Sequence, residues 1–179
     1  MLLRARQKNL SVSMARTEFN PIDYFLKVAG ENKLCVDNNF KAVRCSGPEN
    51  IPALLDDYRK TANFIVVDDT TDNVVFGTRP GYQTRTIISV WILAHYEFND
   101  NIERQDKLQL CRRIFKQFLS RMLVDFRNED ITNGVIFLDS DNITYKELGR
   151  YSLNGVTGLY FTANIDKPTD LTYDETEWQ

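Results

Sequence analysis

A chain of 179 residues with 42% hydrophobic and 26% charged residues has the make-up of one folded domain, with or without terminal arms. Its 22 basic and 25 acidic residues leave a net charge of −3, which excludes a globally basic nucleic-acid binder. One histidine and three cysteines exclude zinc fingers and disulfide scaffolds, and no apolar run approaches the ~20 residues of a membrane span.

Residues 1–19 carry Arg4, Arg6, Lys8 and Arg16 against Glu18 alone and read as a basic N-terminal arm. No run of about 7–15 apolar residues follows the cations, so no secretory signal is expected. Cys35, Cys45 and Cys111 then read as reduced, buried thiols of a protein made in the cytoplasm. Met14 offers a second start.

Asn20-Pro21-Ile22-Asp23 predicts a helix start: a capping side chain, a proline for the first turn and an acid at the positive helix end. Ile22, Phe25, Leu26 and Ala29 share one face, and Gly30 suits a left-handed closing turn. A second short helix is expected near Pro52–Lys60, with Ile51, Leu54, Leu55 and Tyr58 on one side.

Phe64–Val67 and Val74–Phe76 are β-rich runs flanking Asp, Thr and Asn residues, the pattern of a hairpin. The stretch TRTIISVWILAHYEF is the longest strand candidate. Ile88, Val90, Ile92, Ala94 and Tyr96 line one face; Ile87, Ser89, Trp91, Leu93 and His95 line the other. Both faces are largely apolar, so something must cover the second one: the N-terminal helices or another subunit.

Residues 103–127 form the clearest helix. Leu108, Cys111, Phe115, Phe118, Met122 and Phe126 recur at three- and four-residue steps, a stripe expected to pack on Ile88, Val90 and Ile92. The outward cations, among them Arg104, Lys107, Arg113 and Lys116, are interrupted by Asp106, Gln109, Gln117 and Asp125, as on a solvated face. Gly134–Leu138 then turns through Asp139–Asn142 into ITYKEL, and Gly155–Ile165 follows with Leu159, Phe161, Ala163 and Ile165 on one face.

Strands grouped on either side of one long helix mean an α+β fold. A mainly antiparallel sheet of about four to five strands is expected, with the long helix packed on it and short helices before it. The division is a basic arm over 1–19, a single domain over 20–165 and an acidic C-terminal arm over 166–179. That arm carries Asp166, Asp170, Asp174, Glu175 and Glu177, with Tyr173 and Trp178 between and after the acids.

Candidate chemistry is sparse. His95 lies on an apolar strand and reads as a packed residue, with no G-x-S-x-G nucleophile to serve and no glycine-rich phosphate loop in the chain. Asp68, Asp69 and Asp72 could gather a hard cation, but Asp, Asn and Thr also make turns by bonding their own backbone. Asp139-Ser140-Asp141 starts like a calcium loop, yet Thr144 and Arg150 stand where that loop needs glycine and glutamate. Asp23 with Glu31 and Lys33 imitates a nuclease triplet, but around a helix end. The reading is no enzyme, no cofactor and no metal.

The segments PIDYFLKVAGENKL, FIVVDDTTDNVVF, LGRYSLNGVTGLYF and DKPTDLTYDETEW together resemble a family encoded among the structural genes of tailed bacteriophages and prophages of gut bacteria. The similarity runs from about Pro21 to Trp178, and the family offers no catalytic motif. The element order resembles the tail-terminator and tail-completion proteins of long-tailed phages, small α+β subunits that form hexameric rings at the end of the tail tube. The resemblance implies a virion structural protein at the head–tail junction. Its partners would be copies of itself and neighbouring neck and tail-tube proteins, with no membrane and no sequence-specific nucleic acid. A neck or head-completion connector is the nearest alternative, and a small regulatory or nucleic-acid-binding module the alternative of another class. On this reading Ile87, Trp91, Leu93, Tyr173 and Trp178 are the candidate subunit-interface residues.

Overall fold

The computed structural model describes residues 19–53, 63–78, 81–127, 136–149 and 155–178. Helix α1 spans Pro21–Glu31, with the Asn20 side chain accepting from the Ile22 and Asp23 amides. Gly30 does not terminate it: α1 continues to Glu31, and Asn32 ends it while capping the next short helix, α2 (Lys33–Asp37). An asparagine that caps a following helix is a stronger local signal than a glycine with room on every side. The left-handed residue comes later, at Asn39 with φ 56°.

Strand β1 (Phe40–Cys45) follows, then β2 (Asn63–Asp68), β3 (Asp72–Thr78) and the long β4 (Gly81–His95). Helix α3 (Asn101–Asp125) crosses back, about 37 Å long at 1.5 Å per residue. Strands β5 (Phe137–Leu138), β6 (Thr144–Glu147) and β7 (Val156–Pro168) complete the fold. Residues 51–53 begin a helix where one is expected; the rest of that expected helix, 54–60, lies outside the described residues, as does the basic arm up to residue 18.

The α+β class is as expected, and the sheet is larger and more mixed. It has seven strands in the order β1-β2-β4-β7-β5, with β3 also paired to β4 and β6 also paired to β7. β1 and β2 are parallel; every other pair is antiparallel. β1 was not legible because FKAVRC mixes charged and apolar residues without clean alternation.

The expected hairpin is also replaced. β2 and β3 do not pair with each other; both run along the same edge of β4, β2 against Val90–Leu93 and β3 against Gly81–Ile87. The Asp68 carboxylate accepts from the Gly47 amide (3.0 Å), the Thr70 amide (3.0 Å) and the Thr70 hydroxyl (2.6 Å). That Asx turn kinks the strand and ties it to the end of β1 instead of reversing it. The reversal comes between β3 and β4. There Gly77 has φ +109°, and a Cβ on it would lie 2.3 Å from the Gly81 carbonyl oxygen.

Both long helices pack on the same sheet face. Tyr24, Phe25 and Val28 of α1 and Cys111, Ile114, Phe115, Phe118 and Met122 of α3 share one buried cluster with Ile88, Val90, Ile92, Leu159, Phe161 and Ala163. The expected seating of Phe115, Phe118 and Met122 is therefore observed. Between the helices, the Tyr24 hydroxyl donates to Asp125 (3.0 Å), which also receives Arg121 (2.6 Å). Burial first, and then the Asp125 charge, raise the Tyr24 phenol above its ordinary value.

Candidate interaction surface

The sheet face away from α1 and α3 carries the β4 residues expected at an interface. Its upper end is closed by the chain itself. Leu93 joins Cys45, Ile51, Phe64, Val66, Leu148 and Val156 in a second buried cluster and is 0% exposed. Leu93 therefore leaves the candidate interface set: its side chain has no surface to offer. Of the expected face, Ile87 and Trp91 remain half-buried. Of the two N-terminal helices expected to cover this face, α1 lies with α3 on the other side, whereas Ile51, at the start of the second, packs in the Leu93 cluster; the rest of that second helix lies outside the described residues.

Directly opposed residues share a sheet face. The register Val74↔Arg85↔Asp166↔Phe137 thus makes one row across four strands, with Phe76↔Gln83 beside it. Val74 is 51% exposed, Phe137 54% and Phe76 38%. At the centre of the row, Arg85 holds Asp166 in a bidentate pair (2.7 and 2.8 Å) and reaches Asp139 at 3.6 Å. Its guanidinium carbon also sits 5.3 Å from the Phe76 ring centroid. Hydrogen bonds from Asn142 come first, and the Arg85 charge adds to them, in holding Asp139 below the usual carboxylate range.

Asp166, read from sequence as the start of the acidic arm, is thus a buried member of the sheet, and β7 runs on to Pro168. All seven residues of β3 are exposed, and among the described residues no strand pairs with its outer edge. An unpaired edge carrying Val74, Val75 and Phe76 presents free backbone donors and acceptors together with apolar side chains.

The segment that leaves the sheet starts at Thr169, whose amide donates to the Tyr82 carbonyl (3.0 Å) and whose hydroxyl meets that of Thr84. Beyond it, Asp170 and Asp174 accept from the Thr172 and Thr176 amides in local turns. Tyr173 and Trp178 stack with ring centroids 6.0 Å apart, and both point into solvent at 65% and 68% exposure. Leu171 is also exposed.

Of the aspartates considered for a cation, Asp68 makes the turn described above and Asp139 pairs with Asn142 and Arg85. Among the described residues no group of three His, Cys, Asp or Glu side chains could hold a metal ion. His95 ends β4, packed edge-on against Phe64. A recess of about 540 Å³ lies between the start of α1 and the lower sheet, floored by Thr84 and Thr86. Its polar groups bond one another, Thr86 to Asn73 and Thr84 to Thr169. No described helix is long and apolar enough to cross a membrane.

Sequence reasoning missed Val74, Phe76 and Phe137 as surface residues, although DNVVFGT is apolar on both strand faces and so was open to that reading. The Arg85–Asp166–Asp139 centre has no sequence signal, since its members come from three separate strands or turns, Arg85 and Asp166 lying 81 residues apart in the chain. No family model matches the chain, and no curated protein matches it.

Proposed function

We propose that this chain is a non-enzymatic virion structural protein, a tail-terminator or tail-completion ring subunit at the head–tail junction of a tailed phage. One observation supports this most: α1 and α3 sit on one sheet face, and on the other, beyond the end closed by Ile51 and Leu148, Val74, Phe76, Ile87, Trp91 and Phe137 stand at or near the surface among the described residues. Apolar sheet surface of this kind belongs to contacts between molecules. A ring uses heterologous contacts, with one patch on each subunit meeting a different patch on the next. The β3 edge and the exposed aromatic segment after β7 supply unlike patches of that kind. The hexamer, and the neighbouring neck and tail-tube partners, follow from the family resemblance.

A neck or head-completion connector would use the same surfaces, and position in the particle separates the two. The test is the mass of the purified chain in solution, together with immunogold or mass-spectrometric detection in purified virions. A closed oligomer located at the tail end is the expected result. A chain that stays monomeric and is missing from particles overturns the proposal in favour of a regulatory or nucleic-acid-binding module.

A further inference from the structure

We propose that the acidic segment after β7 docks on the outward face of α3 in a second copy of this chain; the inference rests on the self-assembly reading and names its contact. Residues 169–178 contain four carboxylates, at Asp170, Asp174, Glu175 and Glu177, and no cation. They also present Leu171, Tyr173 and Trp178 to solvent at more than half exposure. Among the described residues of its own subunit no contact explains why a solvated segment should hold two stacked aromatic rings outward.

The outward stripe of α3 is the complement. At helical spacing it reads Ile102, Asp106, Arg113, Lys116 and Val124, continued by Arg127 in the turn after the helix, all exposed. Ile102 and Val124 are 78% and 64% exposed, unusual values for aliphatic residues on a packed helix. The neighbouring cations Arg112 and Arg121 are held by Glu147 and Asp125. Arg113, Lys116 and Arg127 have no ion-pair partner among the described residues. The stripe therefore offers three free cations against one carboxylate, with aliphatic side chains among them. An acidic peptide with a tyrosine and a tryptophan matches it in both respects, since aromatic faces also attract guanidinium groups.

The occupant is a second copy because the segment does not lie on its own α3. Its root is tied to Tyr82 and Thr84 at the end of the sheet, and every residue from 171 to 178 is exposed. Residues 170–178 span up to about 30 Å when extended, enough to cross to an adjacent subunit. Peptide of one copy on helix of the next is a heterologous contact that can close into a ring.

The experiment uses the full chain and sedimentation at low and high salt. Two charge reversals are made, Arg113→Glu with Lys116→Glu, and Glu175→Lys with Glu177→Lys. Each pair is expected to weaken self-association about tenfold or more at low salt, with thermal unfolding unchanged. The four substitutions together should restore association, because the charges are then exchanged. Zero-length cross-linking of a mixture of isotope-labelled and unlabelled chains should join Lys116 to Glu175 or Glu177 between chains. An oligomer that ignores both reversals overturns this docking while leaving self-assembly intact, and so do cross-links confined to single chains. A wild-type chain that stays monomeric at every concentration overturns the docking and the self-assembly reading together.

Discussion

Trp91 and Tyr160 are register partners on β4 and β7, stacked with ring centroids 4.5 Å apart and planes 28° from parallel, on the sheet face opposite both long helices. Each is half-buried. Two large rings that cover each other, packed at one side against the cluster of Ile51 and Leu93 yet still half-exposed, make a stable platform that has apolar area to give. Phe118, on the helix side of the same sheet, is fully enclosed.

The two positions should respond differently to truncation. Phe118→Ala empties a closed site and should cost roughly 3–5 kcal/mol of folding stability. Trp91→Ala loses a stacked pair at a half-open site and should cost about 1–2 kcal/mol, while weakening self-association. Denaturant unfolding with sedimentation on the same samples checks both. A Phe118→Ala chain as stable as wild type would show that α3 does not seat on this sheet.

Gly158 and Gly30 make a matched pair of glycine tests. Gly158 lies within β7 at φ +151°, and a Cβ there would meet the Ile92 carbonyl oxygen at 1.9 Å. That atom is backbone of the central strand and cannot move aside, so Gly158→Ala should cost more than about 3 kcal/mol or prevent folding. Gly30 is helical, and a Cβ there meets nothing within 4 Å. Gly30→Ala should therefore stabilise by about 0.5–1 kcal/mol. Thermal melts of the two variants, expected on opposite sides of wild type, are the measurement.

His95 should make the fold sensitive to mild acid. Burial lowers its pKa below the ordinary 6.5, and Lys107 pushes the same way, while a hydrogen bond to the Gly155 backbone opposes them. Its Nε2 is buried without a hydrogen-bond partner among the described residues. The unfolded chain thus binds a proton at a higher pH than the fold does. The neutral side chain's contribution is complete above pH 6.5 and is lost as pH falls from there through the folded pKa. Glu147, held below its ordinary 4.5 chiefly by its hydrogen bonds from Arg112, adds acid sensitivity only at lower pH. Unfolding free energy measured between pH 7 and about 5 should fall in wild type and stay nearly flat in His95→Gln. Equal slopes would remove His95 as the cause.

The elements with strong local signals were legible. Asn20 and Pro21 mark the start of α1, the Leu108-to-Met122 stripe marks α3, and the alternation from Ile88 to Ala94 marks the buried side of β4. For the candidate surface, Trp91, Tyr173 and Trp178 were legible as aromatics in an odd setting; the Arg85 centre and the β3 edge were not.

What the amino-acid sequence determined alone was the type of each long element and which of its faces is apolar, because those depend on period and capping within a few residues. Tertiary structure decided what covers each face. Leu93 and Trp91 lie two residues apart on the same side of β4, yet one is enclosed and the other half-open. The difference is made by Ile51 and Leu148, which come from distant parts of the chain. Likewise the stretch from Phe64 to Phe76 fits a hairpin and a kinked edge strand equally well by local pattern. The choice was made by Asp68 bonding the Gly47 amide, 21 residues away, and by the length of β4, which offers one edge long enough for both strands. Asp166 shows the same principle: among acids it reads as tail, and only Arg85, 81 residues earlier, makes it part of the sheet.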